Sequence, residues 1–263
     1  METELELDGG RVTEGVVRIG DTVRRRTGPW SPTVHAYLRH LESRGFDGAP
    51  RVLGFDDRGR EILTYLDGEV PSSRSWERGH ATPLPEPALR GEALVAVARL
   101  VRSLHDAAAG FVPDDPIWRE HAYPPLPGEV VCHGDLGPHN TVYRGGEPVA
   151  FVDWDGARPN DALLELGHAA WWFVPLAGDA YCAEMGFGSP PDRGARLRLF
   201  AEAYGVARSD VLDLVREAKQ REAERPRYWP GMTAAAAAGF LRHVVQELEW
   251  LAANERTLRR ALS

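Results

Sequence analysis

The chain has 263 residues, a formal net charge of −8, and 43% hydrophobic and 27% charged residues. A chain of this length can bury a substantial core, as one large domain or two smaller lobes. The negative charge argues against a nucleic-acid partner, which normally requires a basic surface, and no apolar run is long enough to cross a membrane. Two cysteines, Cys132 and Cys182, make no disulfide framework. Together with the absence of a secretory signal after Met1, this predicts a cytoplasmic protein.

Three short strands are predicted at the start of the chain, at Leu5–Leu7, Val12–Ile19 and Asp21–Arg25. The turn sequences Asp8-Gly9-Gly10 and Gly20-Asp21 separate them, and glycine-containing pairs of this kind are typical of tight hairpins. The chain is therefore expected to open with an antiparallel sheet.

One helix and two more strands follow. Ser31 is the predicted N-cap of the helix, with Pro32 at its first position and Gly45 at its end. The runs Val52–Phe55 and Ile62–Leu66 are predicted strands on either side of a charged turn.

The second part of the chain is predominantly helical in pattern. A connector at Pro71–Pro87 leads to a long amphipathic helix at Ala88–Ala109. Three further helices are predicted at Leu197–Tyr204, Ser209–Glu224 and Met232–Leu262. Strands followed by helices favour the α+β class.

The residues with chemical potential lie between positions 130 and 157. Two β-like runs flank the glycine pair at 145–146, and this predicts a hairpin with a primed turn. If the residues next to the glycines face each other, Asn140 lies opposite about Phe151. Asp153 then follows roughly 7 Å further along the strand. The two polar side chains are therefore expected to meet at the open end of the hairpin.

Asn140 and Asp153 would supply oxygen ligands of the kind Mg²⁺ prefers. The loop before the hairpin contains His133 and Asp135, and Asp135 is left free to act as a base. An aspartate five residues before an asparagine, then a hairpin and a second aspartate, is the arrangement of a phosphoryl-transfer site.

The sequences HGDLGPHN and VDWD resemble the motifs of the aminoglycoside phosphotransferase and choline kinase superfamily, small-molecule relatives of the protein kinases. The resemblance implies an α+β, bilobal protein-kinase-like fold. Its small antiparallel β N-lobe with one helix is expected at residues 1–66, and its larger, mostly helical C-lobe at residues 67–263. It also implies transfer of the γ-phosphoryl group of Mg²⁺-bound ATP, or GTP, to a hydroxyl of a small molecule, by a monomer or dimer.

The same resemblance implies individual roles. Asp135 is the catalytic carboxylate and His133 orients its loop, while Asn140 and Asp153 bind the metal and the nucleotide. Backbone groups around Thr64 would hydrogen-bond the adenine edge.

Two further groups of residues are implied to bind ligands. The segment from Thr64 to Leu66 matches the hinge, where backbone groups would hydrogen-bond the adenine edge. Asp155, Asp161 and Glu165 would frame the metal loop or the substrate. The alternative for Asp161 and Glu165 is that they complement the positive end of a helix dipole.

The chain departs from the family pattern in its phosphate-binding cation. Its only lysine is Lys219, so the N-lobe has none. Arg24 and Arg25 stand where the lysine is expected, and strand alternation lets only one of them face the cleft. Alignment of TVRR with the family strand favours Arg24, with Arg25 as the alternative. No helix glutamate occurs near His35, so what orients the arginine is left open.

The phosphate acceptor is less constrained. Between residues 153 and 192 seven acids outnumber the single arginine, Arg158. If they face the cleft, they favour a cationic acceptor such as an aminoglycoside, although surface acidity gives the same count. The aromatic cluster at 171–173 suits either a bulky apolar acceptor such as a macrolide or core packing. Choline-like, sugar and amino-alcohol acceptors also stay open.

Three other functions compete with the phosphotransferase interpretation. A protein kinase is disfavoured because no activation segment with an APE-like anchor follows Asp153. A pseudokinase-type binding module would account for the missing lysine. A zinc hydrolase built on His121, His133 and His139 lacks the usual ligand spacing.

Overall fold

The structure is a computed structural model that describes residues 3–7, 15–71, 81, 83–120, 128–225 and 233–263. The predicted turn at residues 8–10, the start of the strand predicted at 12–19, most of the connector at 71–87 and His121 lie outside the described residues.

A five-stranded antiparallel sheet with one helix is built from the first part of the chain, in the strand order β1-β2-β3-β5-β4. The elements are β1 (Leu5–Glu6), β2 (Val17–Ile19), β3 (Thr22–Arg25), α1 (Ser31–Ser43), β4 (Val52–Phe55) and β5 (Glu61–Thr64). The α1 helix buries Val34, Tyr37, Leu38 and Leu41, which recur at helical spacing.

The start of α1 differs from the prediction. The N-cap is Trp30, and Ser31 is the first helical residue. The hydroxyl of Ser31 accepts the backbone N–H of Gly28 at 2.9 Å, so it closes the preceding turn instead of capping the helix.

The rest of the described chain is mostly helical. Its helices are α2 (Gly91–Ala108), α3 (Ala162–Phe173), α4 (Asp179–Met185), α5 (Arg193–Tyr204), α6 (Arg208–Glu222) and α7 (Ala234–Leu262). Its strands form two pairs, β6 (Val130–Cys132) with β9 (Arg158–Asn160), and β7 (Thr141–Arg144) with β8 (Glu147–Phe151). Among the described residues no helix has both the length and the apolarity to cross a membrane. The predicted α+β architecture is confirmed.

Among the hydrogen bonds that join the sheet part to the helical part, two lie at the strands that flank the predicted site. The hydroxyl of Tyr37 on α1 donates to the carbonyl of Val131 on β6 at 2.5 Å. The N–H of Phe151 on β8 donates to the carbonyl of Gly48 at 2.9 Å. Because β6 leads into the 133–140 loop and β8 leads to Asp153, both bonds fix the segments that carry the predicted site.

The β7–β8 hairpin has the predicted turn but a shifted register. Gly145 and Gly146 have φ of 60° and 85°, the left-handed values that a primed turn requires. A bulge after Val142 moves the pairing by one residue, so that Thr141 faces Phe151. Asn140 is therefore joined to Val152, whose N–H it accepts at 2.9 Å. The bulge brings Asn140 one residue closer to Asp153 than an unbroken ladder would.

Candidate active site

His133 ties the loop to the hairpin. Its ring is fully buried, with Nε2 donating to the carbonyl of Val152 at 3.0 Å. Nδ1 accepts the N–H of Asp135 at 3.3 Å. Burial lowers the pKa of His133, so the ring is neutral at pH 7. Both nitrogens are therefore used to hold the loop in place.

Asp135 is half-buried and directed by its neighbours. Its Oδ2 accepts Nδ2 of Asn140 at 3.0 Å, and the same amide also donates to the Asp135 carbonyl at 2.9 Å. Burial alone would raise the pKa of Asp135, but His139, 3.6 Å away, and Arg225 hold that pKa well below its usual range. The carboxylate is therefore ionised and able to accept a hydrogen bond from a hydroxyl.

Asn140 and Asp153 line one cavity of about 220 Å³. The amide nitrogen of Asn140 is used by Asp135, which leaves its Oδ1 as a possible ligand atom. Asp153 has φ 61° and ψ 65°, a left-handed conformation that is uncommon outside glycine, and its side chain is 44% exposed. A carboxylate and an amide oxygen on one cavity wall fit Mg²⁺.

The walls of this cavity are largely apolar, and they come from both parts of the chain. Val23 and Leu63 lie on the sheet side, and Val142 and Val152 lie on the hairpin side. An apolar slot with a few polar groups at its edge is the usual form of a small-ligand site.

The predicted hinge residues Thr64 and Leu66 also line this cavity. The N–H of Thr64 donates to Arg51 at 3.0 Å, and that of Tyr65 donates to Asp21 at 2.8 Å. No described residue accepts the N–H of Leu66. Of these three N–H groups, only that of Leu66 is left for a ligand edge.

Arg25 is the arginine that faces the cavity, and the preference for Arg24 is wrong. Arg25 donates to Asp153 Oδ1 at 3.1 Å and also to Glu61 and Asp155, whereas Arg24 donates back to its own strand. The reason is register. Arg25 is the cross-strand partner of Glu61, so their side chains emerge on the same face of the sheet.

The side chain of Arg25 is held by Glu61, and Glu61 is held in turn by His35. Nε2 of His35 lies 2.5 Å from Oε2 of Glu61, and both side chains are buried. Sequence reasoning missed both residues: the predicted strand starts at Ile62, whereas the observed strand starts at Glu61. The available signal in the sequence was an acidic residue, Glu61, at the start of a strand that could pair with the strand that carries Arg25.

Asp155 and Asp161 are not placed to bind a substrate as predicted. Asp155 is buried against Arg25 and lies 3.7 Å from Arg119. Asp161 accepts the N–H of Leu163 at 2.8 Å and caps α3. Neither residue lines the 220 Å³ cavity or a second cavity, of about 380 Å³, beside Gly134. The helix-end alternative is the correct one for Asp161.

Glu165 holds the start of the 133–140 loop. Its carboxylate accepts the N–H groups of His133 at 3.2 Å and Gly134 at 2.6 Å, and Nε2 of His105 lies 3.0 Å away. Burial alone would raise the pKa of Glu165, but His105 and the loop N–H groups lower that pKa to about 2. Glu165 therefore holds the backbone of the loop that carries Asp135.

A second cavity of about 380 Å³ lies beside the catalytic loop, at Gly134 and Glu165. Its charged lining residues are Glu120, Glu129, Arg158, Glu165, Arg221, Glu222, Glu224 and Arg225. Arg225 donates to Glu120 at 2.7 and 3.0 Å, and Arg158 lies 3.5 Å from the same carboxylate. Much of the charge in this cavity is therefore paired within the protein.

The acids counted between residues 153 and 192 are mostly used elsewhere. Asp179 pairs with Arg193 at 2.7 Å, Glu184 accepts the N–H of Ala81 at 3.0 Å, and Asp192 caps α5. Of the seven, only Glu165 lines the second cavity. The acid count therefore does not support a cationic acceptor.

The aromatic cluster at 171–173 belongs to the core. Trp171 and Phe173 are buried, and Trp172 packs against the core cluster. None of the three lines the two cavities, so the packing alternative is correct and the cluster gives no support to a macrolide acceptor.

The strand-rich first part, the helical second part and the loop–hairpin site between them define a kinase-like phosphotransferase fold. Residues 114–197, which span both motifs, match the phosphotransferase enzyme family. The chain is 39% identical over 214 residues to a trifolitoxin immunity protein of Rhizobium leguminosarum bv. trifolii, covering 79% of this chain and 76% of the relative. The chain belongs to the phosphotransferase enzyme family.

Solved structures agree on the fold. A choline/ethanolamine kinase family protein from Mesorhizobium loti superposes with a TM-score of 0.51 at 18% identity, over 98% of this chain and 92% of the other. The GDP complex of an aminoglycoside 2′-phosphotransferase superposes with a TM-score of 0.50 at 12% identity, over 97% and 93%. At these identities the likeness concerns the fold.

Proposed function

We propose that this protein is a cytoplasmic phosphotransferase that moves the γ-phosphoryl group of Mg²⁺-bound ATP, or GTP, to a hydroxyl of a small molecule. The observation that carries the proposal is a cavity lined by Asn140, Asp153 and the buried Arg25. The carboxylate of Asp135 is hydrogen-bonded to the Asn140 amide at 3.0 Å. Positioned carboxylates, a metal and a fixed cation are the parts that phosphoryl transfer requires.

Each residue has a specific task in this proposal. Oδ1 of Asn140 and the carboxylate of Asp153 hold Mg²⁺, which neutralises charge on the phosphates when bound. Asp135 accepts the hydrogen bond of the acceptor hydroxyl and aims its oxygen at the phosphorus. His133 keeps the loop in place and transfers no proton, because both ring nitrogens are engaged.

The nucleotide binds between two lobes, residues 1–66 and 67–263. The adenine ring lies in the apolar slot, and its edge meets the backbone between Thr64 and Leu66, where the N–H of Leu66 is available. Arg25 lies at the phosphate end, beside Asp153.

The acceptor occupies the 380 Å³ cavity beside Gly134, a volume within the usual range for small ligands. The relative that is an immunity protein supports a toxin or antibiotic as the acceptor. Phosphorylation adds up to two negative charges, which would disrupt recognition of such a molecule by its target. Aminoglycoside-like antibiotics are the first acceptors to test, followed by macrolides, choline-like compounds and sugars.

The test is radiolabelled phosphate transfer from [γ-³²P]ATP, with Mg²⁺, to a panel of these acceptors. Asp135→Ala should abolish turnover and leave nucleotide binding intact, whereas Asp153→Ala should lose metal-dependent nucleotide binding. Asp161→Ala is the matched control, because that aspartate caps a helix and lines neither cavity.

Normal turnover in the Asp135 or Asp153 variant would refute the role assigned to that residue. Nucleotide binding without transfer to any acceptor would favour the pseudokinase alternative.

A further inference from the structure

The nucleotide cavity contains a cation, but not the lysine–glutamate pair that protein kinases use. The cation is an arginine from β3, the glutamate comes from β5, and α1 contributes a histidine. We propose that Glu61, held in turn by His35, positions Arg25 to bind the nucleotide phosphates. The inference rests on the proposed function and extends it to two residues that act through Arg25.

The three side chains form one buried chain of contacts. Arg25, Glu61 and His35 are 8%, 1% and 2% exposed. Nε of Arg25 donates to Oε1 of Glu61, while Oε2 of the same carboxylate meets Nε2 of His35 at 2.5 Å. Each oxygen of Glu61 therefore has its own partner.

The contact at Nε leaves the two terminal nitrogens of the guanidinium to contact other carboxylates. Its Nη1 donates to Asp153 at 3.1 Å and its Nη2 donates to Asp155. Asp153 is the most exposed member of the group and lines the cavity. Because the guanidinium is planar and rigid, fixing one edge against Glu61 fixes the direction of the donors at the other edge.

His35 makes the position of Glu61 depend on α1. His35 lies on α1, and its ring hydrogen-bonds to Glu61. The ring also packs against the ring of Phe55 on β4, with 5.0 Å between the two ring centroids. Loss of the ring would leave a buried carboxylate oxygen without its donor, which is costly. Glu61 would then be free to turn away from Arg25.

The charge of the group suits a metal-bound polyanion. The carboxylates of Glu61, Asp153 and Asp155 outnumber the guanidinium groups of Arg25 and Arg119 by one. This excess favours a divalent cation at Asp153, and the cation would leave the group positive toward phosphates. An arginine already directed at Asp153 lies where such phosphates arrive.

The experiment compares the binding of Mg·ATP with that of adenosine, by calorimetry, in the full-length protein. Arg25→Met should weaken Mg·ATP about 10- to 100-fold, the equivalent of one lost charged contact, and leave adenosine within about 3-fold. The matched control is Arg24→Met, which removes the neighbouring arginine from the same strand and should change neither affinity.

Three further variants, at two positions, test positioning. Glu61→Gln should weaken Mg·ATP about 10-fold with adenosine unchanged, because the amide cannot hold the guanidinium as a carboxylate does. His35→Leu should do the same. His35→Gln, which keeps a donor, should recover most of the Mg·ATP affinity.

Two other results would overturn the inference or the proposed function. If all three sites weaken Mg·ATP and adenosine by the same factor, the residues only support the fold and the inference is wrong. If the wild-type protein binds neither Mg·ATP nor Mg·GTP, the proposed function fails as well. Should Arg25→Met not fold, Arg25→Lys replaces it, with an expected loss that is smaller and still confined to Mg·ATP.

Discussion

Two buried cations in this chain differ in what surrounds them. Arg25 contacts three carboxylates, and one of these, Asp153, is 44% exposed at a cavity wall. Lys219, the only lysine, is fully buried on α6 with Glu222 at 2.8 Å and Glu247 at 3.0 Å.

Lys219 is also closed in by aromatic rings. Its Nζ lies 4.4 Å from the ring centre of Trp171 and 4.9 Å from that of Trp172. The side chain has no exposed surface, so a ligand cannot reach its charge. A buried ion pair by itself is thus weak evidence for function. The difference lies in the cation itself, because Arg25 lines the 220 Å³ cavity whereas Lys219 lines neither that cavity nor the 380 Å³ cavity.

The largest expected effect tests the closed cluster. Lys219→Met removes the cation and leaves Glu222 and Glu247 buried without it, which should cost about 3–5 kcal/mol of unfolding free energy. Urea denaturation measures this. Arg221→Met, on the same helix but exposed, should stay within about 0.5 kcal/mol. Equal losses in the two variants would contradict the assignment.

The second effect concerns Glu165, a buried acid that serves a functional loop. Its pKa of about 2 lies below its ordinary 4.5, so the unfolded chain binds the proton more readily. The stabilisation is complete above about pH 4.5 and is lost as the pH falls toward 2. It amounts to about 3 kcal/mol.

Unfolding measured between pH 5 and 2 checks this value. Glu165→Gln should flatten the acid-side slope relative to the wild type, and Glu217→Gln, an exposed acid on α6, should leave it unchanged. An unaltered slope in the Glu165 variant would show that the loop does not depend on this carboxylate.

A third measurement separates the two clusters directly. If only the Arg25 cluster meets ligand, Mg·ATP at 100 times its dissociation constant should stabilise the wild type by about 2.7 kcal/mol. Lys219→Met should keep this increment although its baseline is lower, and Asp153→Asn should lose it. Thermal melting with and without Mg·ATP gives the comparison. The reverse pattern would exchange the roles of the clusters.

The smallest expected effect concerns Trp172, whose ring lies against the ammonium group of Lys219. Trp172→Phe keeps an aromatic face for the ammonium but removes the indole N–H that donates to His168 at 3.0 Å. The expected cost is about 1 kcal/mol in urea unfolding, with no change in Mg·ATP affinity. A change in that affinity would mean that the closed cluster communicates with the nucleotide cavity.

Much of the fold could be predicted from the sequence because its signals are local. The glycine pair at 145–146 specified the hairpin turn, and apolar spacing specified α1 and α2. The register of the hairpin could not be predicted, because the bulge after Val142 depends on pairing between strands.

The candidate site divides in the same way. Asp135, Asn140 and Asp153 could be found because loop and hairpin place them within one short stretch. The partner of Arg25 could not, since Glu61 lies 36 residues away and meets it only across the sheet. Which of the acids after Asp153 face a cavity could not be predicted, because a residue count gives no direction to a side chain.

The sequence by itself determined the fold class and the family, because these depend on residue types at short, fixed spacings. Only the tertiary structure decided which arginine enters the cavity, which acid and histidine hold it, and which charged groups are already paired. Those choices depend on strand register and burial, which bring together residues that are distant in the chain.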